Sequence, residues 1–91
     1  MIRSPFHPGM FLRKLLTEHE LTQTRLAHHI GVQIGVINQI CKEKRGISAG
    51  MAVKLAGALG TSPEFWLNLQ TAYELGQTKR LPLIKPLIRV A

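Results

Sequence analysis

The sequence has few of the residues that disulfide bonding, catalysis and membrane insertion require. Its one cysteine, Cys41, cannot form an intrachain disulfide, which fits a reducing compartment. Its 5 acidic residues are scattered, and no pair of them is placed for general acid–base chemistry. No apolar run approaches the roughly 18 residues that a membrane helix needs, and the first residues do not have the apolar segment of a signal peptide. We therefore expect a cytoplasmic protein that is neither an enzyme nor a membrane protein.

Positive charge is what the sequence has in excess. Lysine and arginine number 12 against 5 acidic residues, which gives a formal net charge of +7. Such a surplus indicates a polyanionic partner, either nucleic acid or an anionic membrane surface, although it also favours solubility. With 91 residues the chain makes one domain with a modest core, too small for a deep substrate cavity.

Apolar residues recur at helical spacing in five segments, and no alternating strand pattern occurs before residue 80. The spacing predicts an all-α fold. The first helix begins at Pro8 and carries Phe11, Leu12, Leu15 and Leu16 on one face. The expected helix N-caps are Thr22, Ser48 and Ser62, with Thr61 and Glu64 as an alternative pair for the last helix. The expected helix ends are Gly31, Gly60 and Gly76.

Residues 23–42, QTRLAHHIGVQIGVINQICK, contain the most informative pattern. Leu26, Ala27 and Ile30 form an apolar patch at helical spacing, and a second helical pattern follows Gly31. Ala27 is small enough for two helices to cross closely. Two short helices joined by a tight glycine-containing turn make a helix-turn-helix, whose second helix enters a major groove in DNA-binding proteins. The alternative is a helical hairpin that serves only as core.

The last residues differ from the rest of the chain. We place a domain at residues 1–80 and an extended tail at residues 81–91, in which PLIK is followed by PLIR. The prolines exclude a regular helix. The tail is too apolar to remain free in solvent, so it requires a covering surface on its own domain, on a dimer mate or on another protein.

The chain has 4 histidines but no metal-binding spacing. His28 and His29 are adjacent on a helix and diverge around its axis, and the sequence has neither CxxC nor HxxxH. We expect no metal and no cofactor. The sequence shows no exposed aromatic platform for stacking bases, so double-stranded DNA is a better expectation than RNA.

Several stretches resemble one bacterial family. Residues 22–40 resemble the helix-turn-helix of the phage-repressor (XRE) superfamily. HPG at residues 7–9, KRGIS at 44–48 and ALGTSPEFWLNLQTAYEL at 58–75 resemble HigA-type antitoxins of addiction modules. The resemblance covers about residues 5–80. It implies a five-helix, lambda-repressor-like domain that dimerises, represses its own operon, and neutralises a small basic ribonuclease-type toxin by binding it.

The motif assigns roles to individual residues. Glutamine and asparagine can pair bidentately with adenine, and isoleucine can contact a thymine methyl. The expected base contacts are Gln33, Ile34, Gly35, Asn38 and Gln39, and the expected phosphate contacts are Gln23, Arg25, Lys42, Lys44 and Arg45. In relatives the fifth helix helps form the dimer, so the expected core and dimer residues are Phe65, Trp66, Leu69 and Tyr73.

The chain departs from the family pattern on its second motif helix. Relatives usually have arginine or another polar residue at the positions of Ile34 and Val36, and asparagine-glycine at Lys42 and Glu43. Two readings follow. The helix reads A·T-rich DNA through amides and methyl contacts, or the protein has lost tight DNA binding and retains toxin binding. A homodimer reading a palindromic operator would place its two recognition helices about 34 Å apart. A transcriptional regulator without a toxin partner is a further alternative.

Overall fold

Five helices make up most of the chain in the computed structural model, which describes residues 4–78 and 81–88. The helices are α1 (Pro8–Glu18), α2 (Gln23–Ile30), α3 (Ile34–Cys41), α4 (Ala49–Leu59) and α5 (Pro63–Gln77). The described residues contain no strand, and the all-α prediction is confirmed. None of these helices is both long and apolar enough to cross a bilayer.

Side-chain caps fix where four of the helices begin. The hydroxyls of Thr22, Ser48 and Ser62 accept hydrogen bonds from the backbone N–H three residues later, at 3.0, 3.2 and 3.1 Å. These three predicted caps are confirmed. Thr61 has a different role, because its hydroxyl accepts a 2.7 Å hydrogen bond from the indole N–H of Trp66. Each cap satisfies a backbone donor that has no partner within its own helix.

A left-handed residue lies at the end of α2 and α4 and just after the end of α1 and α3. Gly31 and Gly60 have φ values of 72° and 71°, as their positions in the sequence predicted. Glu20 and Glu43 take the same conformation at φ 52° and 63°, which the sequence did not predict. A side chain there costs about 1 kcal/mol relative to glycine. The left-handed conformation matters most at Glu43, because it turns the chain after α3 back along that helix. There the N–H of Lys44 donates to the Gln39 carbonyl at 2.9 Å.

The predicted end of α5 at Gly76 is wrong by one residue, for a tertiary reason. The helix continues through Gly76 to Gln77 with ordinary helical backbone. A Cβ on Gly76 would collide with the backbone of Ser4. The N–H of Ser4 donates to the Ala72 carbonyl at 3.0 Å, which holds the N-terminal arm against α5. The glycine therefore permits close packing of the arm.

The core lies between the helices, where α3 packs against α1 and α2, and α5 packs against α1 and α4. Ile37 and Ile40 of α3 are fully buried, as is Trp66 of α5. The backbone of α1 approaches α3 so closely at Gly9 that a Cβ there would overlap the Ile40 carbonyl. Other fully buried side chains come from α1, α2 and α4, among them Leu12, Leu26, Ala52 and Leu55.

His7 begins the first helix from a buried position. Its Nδ1 accepts a 2.9 Å hydrogen bond from the N–H of Gly9, and its ring meets Tyr73 edge-on at a centroid distance of 4.9 Å. The expectation that this histidine helps to start α1 is confirmed. Burial lowers the pKa of His7; the Glu43 carboxylate raises it by a smaller amount, and the Arg13 guanidinium lowers it. Protonation of Nδ1 would remove the cap acceptor.

The depressed pKa of His7 makes stability depend on pH. The unfolded chain takes up a proton on His7 at a higher pH than the folded chain does. The contribution of His7 to the free energy of unfolding is therefore complete above the reference value of 6.5 and is lost as the pH falls through the folded-state pKa. Urea unfolding on both sides of this value measures the loss. His7→Asn is the control, because asparagine can cap but cannot titrate; a parallel decline in both proteins would contradict the prediction.

The described part of the tail is free of the domain. All residues from 81 to 88 are exposed, and Leu83 and Leu87 are fully so. No helix forms there, as the prolines predicted. Within the described residues, the tail's own domain does not cover it.

Candidate nucleic-acid interface

The helix pair α2–α3 is held by its turn and by a small residue at the crossing. The N–H of Val32 donates to the Ala27 carbonyl at 2.9 Å, which closes the turn after Gly31. Ala27 is 2% exposed, as its predicted place in the crossing requires. The arrangement fixes the direction of α3 relative to α2 and leaves the N-terminal end of α3 outside.

The two faces of α3 differ sharply. Ile37, Ile40 and Cys41 form the buried face. Burial raises the pKa of Cys41, with the Arg13 guanidinium acting in the opposite direction, so the thiol stays neutral and serves as a small apolar residue.

The outer face begins with side chains that have no partner in the fold. Gln33 is exposed and makes no capping hydrogen bond. Ile34 is 49% exposed, and a Cβ on Gly35 would meet nothing. Val36 instead packs against the core, so it does not belong to the outer face. These three expected base-contact residues, Gln33, Ile34 and Gly35, therefore lie together at the exposed N-terminal end of α3.

The other two expected base-contact residues are engaged within the protein. The Asn38 amide donates to Gln23 Oε1 at 3.2 Å and so links α3 to the first residue of α2. Gln39 Oε1 accepts a 2.8 Å hydrogen bond from Nε of Arg45. Both bonds join an expected base contact to an expected phosphate contact. Sequence spacing could not show these pairs, because each depends on how two elements pack.

Exposed cations lie on α2 and in the loop that follows α3. Arg25 lies on α2, and Lys42, Lys44 and Arg45 follow α3; all four are exposed. Exposed cations on the elements that adjoin α3 are suited to phosphate contacts.

One acidic residue lies among these cations, and Arg13 of α1 offsets its charge. Nη2 of Arg13 is 3.1 Å from a carboxylate oxygen of Glu43, and Nη1 donates to the Cys41 carbonyl. The pair fastens α1 to the end of α3 and keeps the Glu43 carboxylate beside a positive charge. Sequence reasoning missed it, because 30 positions separate the two residues.

The expected dimer residues differ in what they offer to a partner. Trp66 is fully buried in a single chain, so it belongs to the core. Phe65 is 38% exposed and meets Trp66 edge-on at 5.1 Å, while Leu69 and Tyr73 are half-buried. Phe65, Leu69 and Tyr73 therefore retain surface that a partner could cover.

No group of three histidine, cysteine or acidic side chains in residues 4–78 and 81–88 is arranged to hold a metal ion. His28 and His29 are exposed on α2.

The geometry agrees with comparisons to known proteins. The model of the helix-turn-helix family matches residues 12–66, which include the whole of α2 and α3. The antitoxin HigA-1 of Vibrio cholerae is 36% identical over 78 residues, which are 85% of this chain and 73% of the relative. The chain belongs to the helix-turn-helix family, in the branch that includes the HigA antitoxins. It spans about two thirds of the length of other curated relatives that it matches.

Two solved structures from Pseudomonas aeruginosa show that the fold is similar as well. The antitoxin HigA, determined with the higBA promoter, is 42% identical, with 79% of each chain covered and a TM-score of 0.76. A second protein, determined with its 18-bp operator DNA, is 41% identical, with 81% of each chain covered and a TM-score of 0.78. The promoter and operator DNA are partners of those two proteins. For this chain, the similarity establishes the family and the fold.

Arg25, an expected phosphate contact, is exposed on α2. Replacement by alanine should weaken binding to any duplex and lower the dependence of log affinity on log salt concentration by about 0.9. Fluorescence anisotropy at several salt concentrations measures this slope. Lys54→Ala removes an equally exposed charge from α4, outside the motif, and should leave the slope unchanged. An equal effect of both variants would show that only net charge matters.

Proposed function

We propose that the protein is the antitoxin of a toxin–antitoxin module and represses its own operon by sequence-specific binding to operator DNA. The observation that supports this most directly is the exposed N-terminal end of α3, with exposed cations on α2 (Arg25) and in the loop after α3 (Lys42, Lys44 and Arg45), in a chain similar to a HigA antitoxin solved with promoter DNA. The proposal places the protein in the cytoplasm and assigns it no catalytic activity.

The apolar end of α3 is compatible with DNA recognition. Gln33 can pair with an adenine, and Ile34 can contact a thymine methyl in the major groove. The missing side chain at Gly35 lets the groove edge approach the helix. A·T-rich half-sites are the sequences that such a surface would favour.

The protein acts as a homodimer in this proposal. A palindromic operator presents two half-sites, and a two-fold axis brings one recognition helix to each. Phe65, Leu69 and Tyr73 supply partly exposed apolar surface on α5 for a dimer contact. The second activity is binding of a small ribonuclease-type toxin, which the antitoxin neutralises.

The tail beyond residue 80 is a separate functional segment in this proposal. Its exposed leucines and isoleucines lie outside the helical domain and need a surface that the domain does not provide. The dimer mate and the toxin are the two available surfaces.

Binding to the DNA immediately upstream of the gene tests the repressor function. At physiological salt, the dimer should bind this duplex at least about 10³-fold more tightly than a shuffled duplex of equal composition. Equal binding to the two duplexes would refute repression.

Co-expression with each neighbouring gene tests the antitoxin function: a small protein should co-purify, and its toxicity to cells should disappear. A protein that binds its promoter but no neighbouring product is a regulator without a toxin.

Replacing Leu83 and Leu87 together by aspartate tests the tail. Both side chains are fully exposed, so the free energy of unfolding should change by less than about 0.5 kcal/mol. Partner binding should fail, because two charges would enter an apolar contact. Light scattering reports loss of the dimer, and co-purification reports loss of the toxin. A folded variant with an unchanged dimer and toxin complex would show that the tail contacts neither.

A further inference from the structure

The loop after α3 makes two hydrogen bonds to one residue of that helix, Gln39. The backbone N–H of Lys44 donates to the Gln39 carbonyl at 2.9 Å, and the Nε–H of Arg45 donates to the Gln39 side-chain oxygen at 2.8 Å. The left-handed turn at Glu43 directs the loop back along the helix and makes both contacts possible. Gln39 therefore fixes the backbone of the loop and the guanidinium that the loop carries.

The bond to Arg45 limits what Gln39 can do at a base edge. Bidentate recognition of adenine uses the glutamine amide oxygen to accept from N6 and the amide nitrogen to donate to N7. In this structure Arg45 already donates to that oxygen. Reading adenine would require Gln39 to release Arg45.

The same bond prepares Arg45 for a phosphate. Nε of Arg45 donates to Gln39, while its two terminal amino groups make no hydrogen bond among the described residues. An exposed arginine loses side-chain freedom when it binds, and a guanidinium already held in place loses less. Planar guanidinium groups bind phosphate oxygens with paired N–H donors.

We propose that Gln39 is a positioning residue that acts through Arg45 on the DNA backbone, and that it is not a base reader. The inference rests on the proposed DNA binding and reassigns one of its expected base contacts. Sequence is then read by the exposed residues at the start of α3, and Gln39 and Arg45 set how tightly any duplex is held there.

Four variants test the assignment on the upstream duplex and on a shuffled duplex: Gln39→Ala, Arg45→Ala, the double variant, and Gln33→Ala as a matched control. Gln39→Ala should weaken binding to both duplexes by the same factor, about two- to tenfold. It should have no further effect once Arg45 is alanine. Arg45→Ala should also lower the salt slope by about 0.9. Gln33→Ala, which removes the same amide from a position without an internal partner, should weaken binding to the upstream duplex alone.

The assignment fails if Gln39→Ala reduces the preference for the upstream duplex by the roughly five- to 150-fold expected for a lost base contact. It also fails if, in the double variant, the loss of affinity from Gln39→Ala adds fully to the loss from Arg45→Ala. Thermal unfolding of each variant verifies that the fold is intact. Phosphate contacts are independent of sequence, so the coupling between Gln39 and Arg45 can be measured on the shuffled duplex alone. If the wild-type protein binds both duplexes alike, the repressor function fails while this test of the pair still stands.

Discussion

The close packing of α1 on α3 is the constraint on which the rest of the structure depends. α3 has only 8 residues and could not persist as an isolated helix in water. Its position is set from outside, by the contact of Gly9 with the Ile40 carbonyl and by the Arg13 side chain at its end. The cap provided by His7 fixes where α1 begins, and so where Gly9 lies. The proposed DNA-binding surface is thus positioned by residues that do not reach it.

Burying one side of α3 determines what the other side can present. The buried isoleucines orient the helix, and the exposed end follows directly after the turn that Gly31 makes possible. Charge is kept off the exposed end and supplied by residues on α2 and in the loop after α3. This division suits a protein in which phosphate contacts give affinity and register, while a few amide and apolar contacts discriminate between sequences. Glu43 interrupts the positive surface at the end of α3, but its pairing with Arg13 directs its carboxylate toward α1.

Local signals explain why so much of the fold could be predicted. The caps at Thr22, Ser48 and Ser62 could be predicted because each hydroxyl accepts a hydrogen bond from a backbone N–H only three residues away. Such a bond does not depend on tertiary packing. Gly31 and Gly60 end helices because glycine adopts positive φ at little cost. The prediction that α5 ends at Gly76 is wrong because a glycine near the end of a helical pattern resembles a stop signal, and only the packed N-terminal arm shows its actual role. The left-handed Glu20 and Glu43 carry no such signal.

The site was less predictable than the fold because its details depend on pairs of elements. Sequence spacing placed Gln33, Ile34 and Gly35 on an exposed helix end, and the structure brings them together there. It could not show that Asn38 bonds to Gln23 or Gln39 to Arg45, because each pair forms only when the helices and the loop have packed.

We propose that the exposed N-terminal end of α3, with the cations on α2 and in the loop after α3, forms the DNA-binding surface. Titration of ¹⁵N-labelled protein with the upstream duplex, followed by NMR, tests this claim most directly. We expect the largest shifts at the N-terminal end of α2, at residues 33–39, and in the loop at residues 42–46, including the side-chain Nε of Arg45. Shifts concentrated on α4 or on the tail, with α3 unchanged, would contradict it.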